Sequence, residues 1–111
     1  MDIKEFIDDW LEASNEYDTN RYLEMYHQDA FLDDKSVGRK FKGHEGIRNY
    51  FESYFIGYNT QIRLKDLIIK GNTAHLEVEF TGDFPEGEIG GIFDFTFREG
   101  RIAEAKADLV S

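Results

Sequence analysis

The sequence predicts an α+β domain in which three N-terminal helices pack on one face of a mostly antiparallel sheet. Three observations lead there. Apolar residues recur at helical spacing through residue 58 and at strand spacing beyond it, so helices and strands are segregated rather than alternating. The later strands carry apolar side chains on one face and charged ones on the other, which leaves a single face for the helices. Pro85 is the sole proline and there is no Ser/Gly tract or repeat, so residues 1–111 read as one domain.

Taken in order, Ile3, Phe6, Ile7, Trp10 and Leu11 follow the i, i+3, i+4, i+7, i+8 pattern of a helix with one buried stripe. Asp2 and Glu5 suit its positive end, and Asp8, Asp9, Glu12 and Glu16 form a solvated acidic face. Asp18-Thr19-Asn20 offers an N-cap for a short second helix through Tyr22, Leu23 and Tyr26. Ala30 to Asp34 is short and β-like, and Ser36 to Phe41 can pair with it. Gly43 precedes a third helix with the stripe Ile47, Tyr50, Phe51, Tyr54, Phe55 and Tyr58, which Gly57 helps to end.

A strand from Thr60 to Ile69 then reaches the turn Lys70-Gly71-Asn72. In the next, Ala74, Leu76, Val78 and Phe80 alternate with His75, Glu77, Glu79 and Thr81. After the loop Gly82 to Gly87, Phe93, Phe95 and Phe97 alternate with Asp94, Thr96 and Arg98. The turn Arg98-Glu99-Gly100-Arg101 leads to a last strand, where Ala103, Ala105, Ala107 and Leu109 are the apolar row against Glu104, Lys106 and Asp108.

Composition removes several classes of function. Thirteen Lys+Arg against 23 Asp+Glu give a formal charge of −10, which repels phosphate backbones and anionic lipid, so neither nucleic acid nor a membrane surface is an expected partner. The absence of cysteine removes disulfides, thiolate nucleophiles and zinc–thiolate sites. Met1-Asp2-Ile3-Lys4-Glu5-Phe6 lacks the basic and apolar regions of a signal peptide, and a cytoplasmic location is expected. What remains is rich in rings: 17 aromatics against 20 Leu, Ile and Val.

Few residues point to chemistry by type alone. His27 reads as the end of the second helix, His44 as surface, and His75 as a neighbour of Glu77 and of Asp94 or Glu104 on the charged sheet face. No His-x-His or Glu-x-x-His spacing supports a metal, and no cofactor is expected. Ser14, Ser36, Ser53 and Ser111 lack a nucleophile elbow, and Gly87, Gly90 and Gly91 read as a bend in a sheet rather than a phosphate cradle.

The order of elements, together with the run Tyr26-His27-Gln28-Asp29-Ala30-Phe31-Leu32-Asp33-Asp34, Gly43, and Ile47-Arg48-Asn49-Tyr50-Phe51, resembles the nuclear-transport-factor-2-like superfamily. That superfamily includes SnoaL-like polyketide cyclases and ketosteroid isomerases. Phe95-Thr96-Phe97 followed by Gly100-Arg101-Ile102 also resembles its penultimate hairpin. The resemblance spans essentially the whole chain. It implies a cystatin-like fold whose curved sheet and helices enclose a conical pocket for an apolar small molecule. The same aromatic residues also allow a fully packed core.

By the resemblance, Asp34 falls on the position of the isomerase general base. A carboxylate that gives up hydration at the mouth of an apolar pocket becomes a better base toward a carbon acid. Strand parity does not decide whether Asp33 or Asp34 faces the pocket, and Asp33-Asp34-Lys35-Ser36 also reads as a solvated turn. The family's donor positions fall on Trp10, Phe51 and Phe93, so its usual hydrogen-bonding set is missing, with Tyr50 and Tyr54 as replacement hydroxyls. Trp10, Phe51, Tyr54, Phe93 and Phe95 are the candidate ligand contacts. The implied function is small-molecule binding, with proton transfer on an apolar carbonyl compound by Asp34; a non-catalytic binding or interaction module is the alternative. Relatives pair through the charged sheet face, which implies a homodimer.

Overall fold

The computed structural model describes residues 1–110. Its elements are α1 (Ile3–Asn15), α2 (Thr19–Glu24), β1 (Tyr26–Asp34), β2 (Arg39–Lys42), α3 (Gly43–Phe51), a π-helical turn (Glu52–Ile56), β3 (Gln61–Lys70), β4 (Thr73–Thr81), β5 (Glu88–Arg98) and β6 (Arg101–Val110). The six strands form one sheet in the order β2-β1-β6-β5-β4-β3, antiparallel except for the β1–β6 pair. The α+β class is therefore as the hydrophobic periods imply.

The first two helices start where short side chains satisfy free backbone donors. Asp2 accepts from the Glu5 amide at 3.0 Å, and Asp18 from the Arg21 amide at 3.2 Å. The buried stripe of α1 then lies across β5. Trp10 meets Phe93 and Phe95 edge-on at 5.0 and 5.2 Å between ring centroids, and Phe6 meets Phe97 at 5.1 Å. Burying each such ring contributes about 2–3 kcal/mol. Asn15, at the end of α1, clamps the edge strand β3: its amide donates to the Ile62 carbonyl at 2.9 Å and accepts from the Ile62 amide at 2.7 Å.

Three local expectations are corrected. The second helix stops at Glu24, and Tyr26 begins β1 instead of ending α2. The reason is long-range: the Met25 carbonyl accepts from the Ile102 amide at 2.9 Å, joining the chain to β6. The polar run His27-Gln28-Asp29 coincides with an irregularity in that pairing, which hides the strand from a period-2 reading. His27 is accordingly a strand residue bonded to the Arg98 carbonyl, and His44 is half-buried, bonded to the Tyr26 carbonyl at 2.8 Å. In β6 a bulge at Ala103, between the pairs Thr96–Glu104 and Phe97–Ile102, shifts the phase, so Ile102, Ala105 and Ala107 are buried.

The outer sheet face carries charges in register. Lys40, Asp33, Lys106, Asp94 and His75 are successive cross-strand neighbours from β2 to β4, an alternating ladder. His75 and Asp94 are bonded at 2.6 Å, as their alternation implies. No described helix is long and apolar enough to cross a membrane.

Candidate functional site

Packing is uneven between the two ends of the sheet. Under α1 and α2 the interior is full. Tyr22 stacks on Phe51 at 4.1 Å, and the hydroxyls form a short chain: the Trp10 indole N–H donates to the Tyr26 hydroxyl at 3.2 Å, and Tyr26 donates to Tyr22 at 2.9 Å. No buried side-chain polar atom among the described residues lacks a partner. Burial pushes the Tyr26 hydroxyl up to about 12 and the Tyr22 hydroxyl well above the usual tyrosine range.

At the other end a cavity of about 240 Å³ opens between the end of β1, the π-helical turn and the loop after β4. Small side chains make room on one wall, where Ala107 lines it, and rings make the others: Phe55, Phe80 and Phe93 inside, Tyr54, Tyr58 and Phe84 nearer the mouth. Gly91 allows the Phe80 ring to approach β5 closely, since a Cβ there would overlap the ring edge and stand 3.2 Å from the Asp108 carbonyl. Thr60 lines the cavity, but its hydroxyl is committed to the Tyr54 carbonyl at 2.7 Å.

Asp34 is the buried carboxylate of this wall, with 7 % of its surface exposed. Antiparallel pairing with Arg39 and parallel pairing with Ala107 fix its parity, and Asp33 takes the charged outer row. The chain then turns back on it: the Ser36 amide and hydroxyl both donate to Oδ1, at 2.9 and 2.6 Å. Oδ2 receives neither bond. The Tyr50 hydroxyl faces the same carboxylate; burial first, then the Asp34 charge, raises it well above the usual tyrosine range, so it stays protonated.

Of the residues expected to contact a ligand, Asp34, Tyr54 and Phe93 line the cavity, and Trp10, Phe51 and Phe95 do not. The correction has a packing cause. Tyr22 and Tyr26 fill the space beneath α1, so those three rings belong to the solid core. Sequence reading missed Ser36 as the partner of Asp34, although an Asp followed two residues later by Ser is the signature of such a turn. It also missed Phe80, Phe84 and Glu86, since a period assigns a face but not a place along it. A hollow on the outer face, around His75 and Asp94, is lined mainly by polar and charged residues. No group of three or more metal-ligating side chains occurs among the described residues.

Comparison with known proteins gives the same architecture. A candidate polyketide cyclase from Sinorhizobium meliloti is 20 % identical, with a TM-score of 0.85 over 93 % of each chain. A candidate ketosteroid isomerase from Kribbella flavida is 11 % identical, with a TM-score of 0.84 over 96 % of this chain and 76 % of that one. The epoxide hydrolase/cyclase-like enzyme SalBIII, named for a role in pyran ring formation in the polyether salinomycin, is 21 % identical, with a TM-score of 0.84 over 96 % and 89 %. At these identities the likeness is one of fold. No curated protein matches the chain. The model of the SnoaL-like domain matches residues 7–105, and the chain belongs to that family.

Proposed function

We propose that the protein binds an apolar carbonyl compound in this cavity and moves a proton on it, with Asp34 as general base and acid. The observation that carries the reading is the pairing of a buried carboxylate, with Oδ2 free of the Ser36 bonds, and a protonated Tyr50 hydroxyl in one apolar wall. Oδ2 takes a proton from the carbon next to the carbonyl. The electron pair moves onto the carbonyl oxygen, where the Tyr50 O–H donates a hydrogen bond to the developing enolate. The carboxyl then returns the proton to a different carbon, or to the same one. Ser36 holds the carboxylate in place, and the surrounding rings exclude water. The polyketide cyclase and isomerase names among the fold relatives are compatible with such chemistry.

The test is hydrogen–deuterium exchange at the α-carbon of cyclic and aryl ketones in D₂O, followed by proton NMR. Wild-type protein is expected to accelerate exchange, Asp34→Asn to lose about 100-fold or more of it while still binding, and Tyr50→Phe to lose about 10- to 1000-fold. Exchange by Asp34→Asn at the wild-type rate would remove the base from Asp34. Binding without exchange in the wild type would favour the non-catalytic reading of the same cavity.

A further inference from the structure

We infer that the ligand carries a cationic group, an ammonium, at the end that faces solvent. This rests on the small-molecule reading of the cavity and adds the charge of the molecule it takes. The charged residues on the cavity wall are Asp34, Glu86 and Asp108, all acidic, and among the described residues no Lys, Arg or His lines it. Lys35, next to the wall in sequence, is exposed and lies outside it. Seven of the sixteen lining residues are aromatic, so an entering ligand meets rings over much of the wall. Ring faces carry negative potential and attract cations, most strongly where water is displaced.

The mouth is built to hold these groups together. Tyr54 and Tyr58 lie nearly parallel, 6.5 Å apart at 16°, and Phe84 meets Tyr58 edge-on at 6.5 Å. The loop that carries Phe84 and Glu86 is tied to the tyrosine segment twice: the Asp83 amide donates to the Tyr58 carbonyl at 2.7 Å, and the Asn59 amide donates to the Asp83 carboxylate at 2.6 Å. The turn itself closes with the Gly87 amide on the Phe84 carbonyl at 2.9 Å, with Pro85 at its second position. The loop thereby holds Glu86 at the rim, on the same cavity as Tyr58 and Phe84. An ammonium there gains the ring faces and a carboxylate, while the apolar body and carbonyl reach Asp34. An anionic end meets like charge at the rim and again at the inner wall, inside a chain of formal charge −10.

The experiment compares phenyl ketones whose three-carbon chain ends in trimethylammonium, tert-butyl or carboxylate, by isothermal titration at low and high salt. The first two have the same shape and differ in charge. The ammonium ketone is expected to bind about tenfold more tightly than the tert-butyl ketone, and the carboxylate most weakly. Glu86→Gln, at an exposed loop position, and Tyr58→Leu are each expected to reduce that preference several-fold without changing tert-butyl binding as much. High salt is expected to reduce the ammonium's advantage. Tert-butyl binding equal to or tighter than ammonium binding overturns the inference and leaves the small-molecule reading standing. Binding of none of the three overturns both.

Discussion

Tyr26→Phe isolates the buried hydroxyl chain, because it removes one oxygen and leaves the ring in place. In the wild type that oxygen accepts from the Trp10 indole and donates to Tyr22, with all three side chains fully buried. Its loss removes two hydrogen bonds and leaves an indole N–H without its acceptor in a site closed to water. A neutral bond contributes about 1 kcal/mol net, and an orphaned buried donor costs about 1–3 kcal/mol, so the expected loss is about 3 kcal/mol. Tyr22→Phe leaves Tyr26 accepting from Trp10 but takes the acceptor from its buried O–H, for about 2 kcal/mol. The double variant orphans the same indole and no further group, so it should cost about as much as Tyr26→Phe, a coupling of about 2 kcal/mol. Urea denaturation followed by the fluorescence of Trp10, the single tryptophan, measures all three. A Tyr26→Phe cost below about 1 kcal/mol, or strictly additive losses, would refute the account of the chain as a coupled unit.

Three further expectations rest on particular contacts. Gly91→Ala must push the Phe80 ring toward the cavity or move β6; a loss of about 1–3 kcal/mol by denaturation and weaker ketone binding are expected, with unchanged binding counting against Phe80 as a wall. Asn15→Ala removes both bonds to Ile62 on the edge strand, for about 2–3 kcal/mol and faster amide exchange at Ile62; protection at the wild-type level would show that the clamp is dispensable. The raised tyrosine ionisations set alkaline stability. Folded Tyr26 holds its proton to about 12 whereas the unfolded side chain releases it near 10, so its contribution is complete below pH 10 and lost as pH rises toward 12. That amounts to on the order of 3 kcal/mol from Tyr26, with Tyr22 and Tyr50 shifting in the same direction. Denaturation midpoints that stay level from pH 9 to 11.5 would contradict it.

How much of this could be read from the chain depended on whether the deciding force was local. The stripes of α1 and α3 and the alternation of β4 and β5 are visible because each residue's burial follows from a fixed period. The start of β1 and the phase of β6 are not, since both are settled by partners far along the chain and by bulges that break the period. The same distinction governs the site. Asp34 could be singled out by resemblance, but its inward orientation needed two neighbouring strands to fix it. Trp10, Phe51 and Phe95 were rightly placed inside and wrongly placed beside a void. Inwardness is a property of the pattern, whereas emptiness depends on how every other side chain fills the space, here above all Tyr22 and Tyr26.

The π-helical turn after α3 divides one continuous segment into two parts with different freedoms. Up to Phe51 the helix is locked by Ile47, Tyr50 and Phe51, all buried, so any change in its phase would disturb the core. Beyond it the Gly57 amide reaches back five residues to the Glu52 carbonyl, and Tyr54 and Tyr58 become less buried toward the mouth. Gaining or losing one residue there rotates the C-terminal part of the segment by about 100° and leaves α3 untouched. The rim of the cavity can therefore be re-aimed by a single insertion or deletion while β1, which carries Asp34, stays in place.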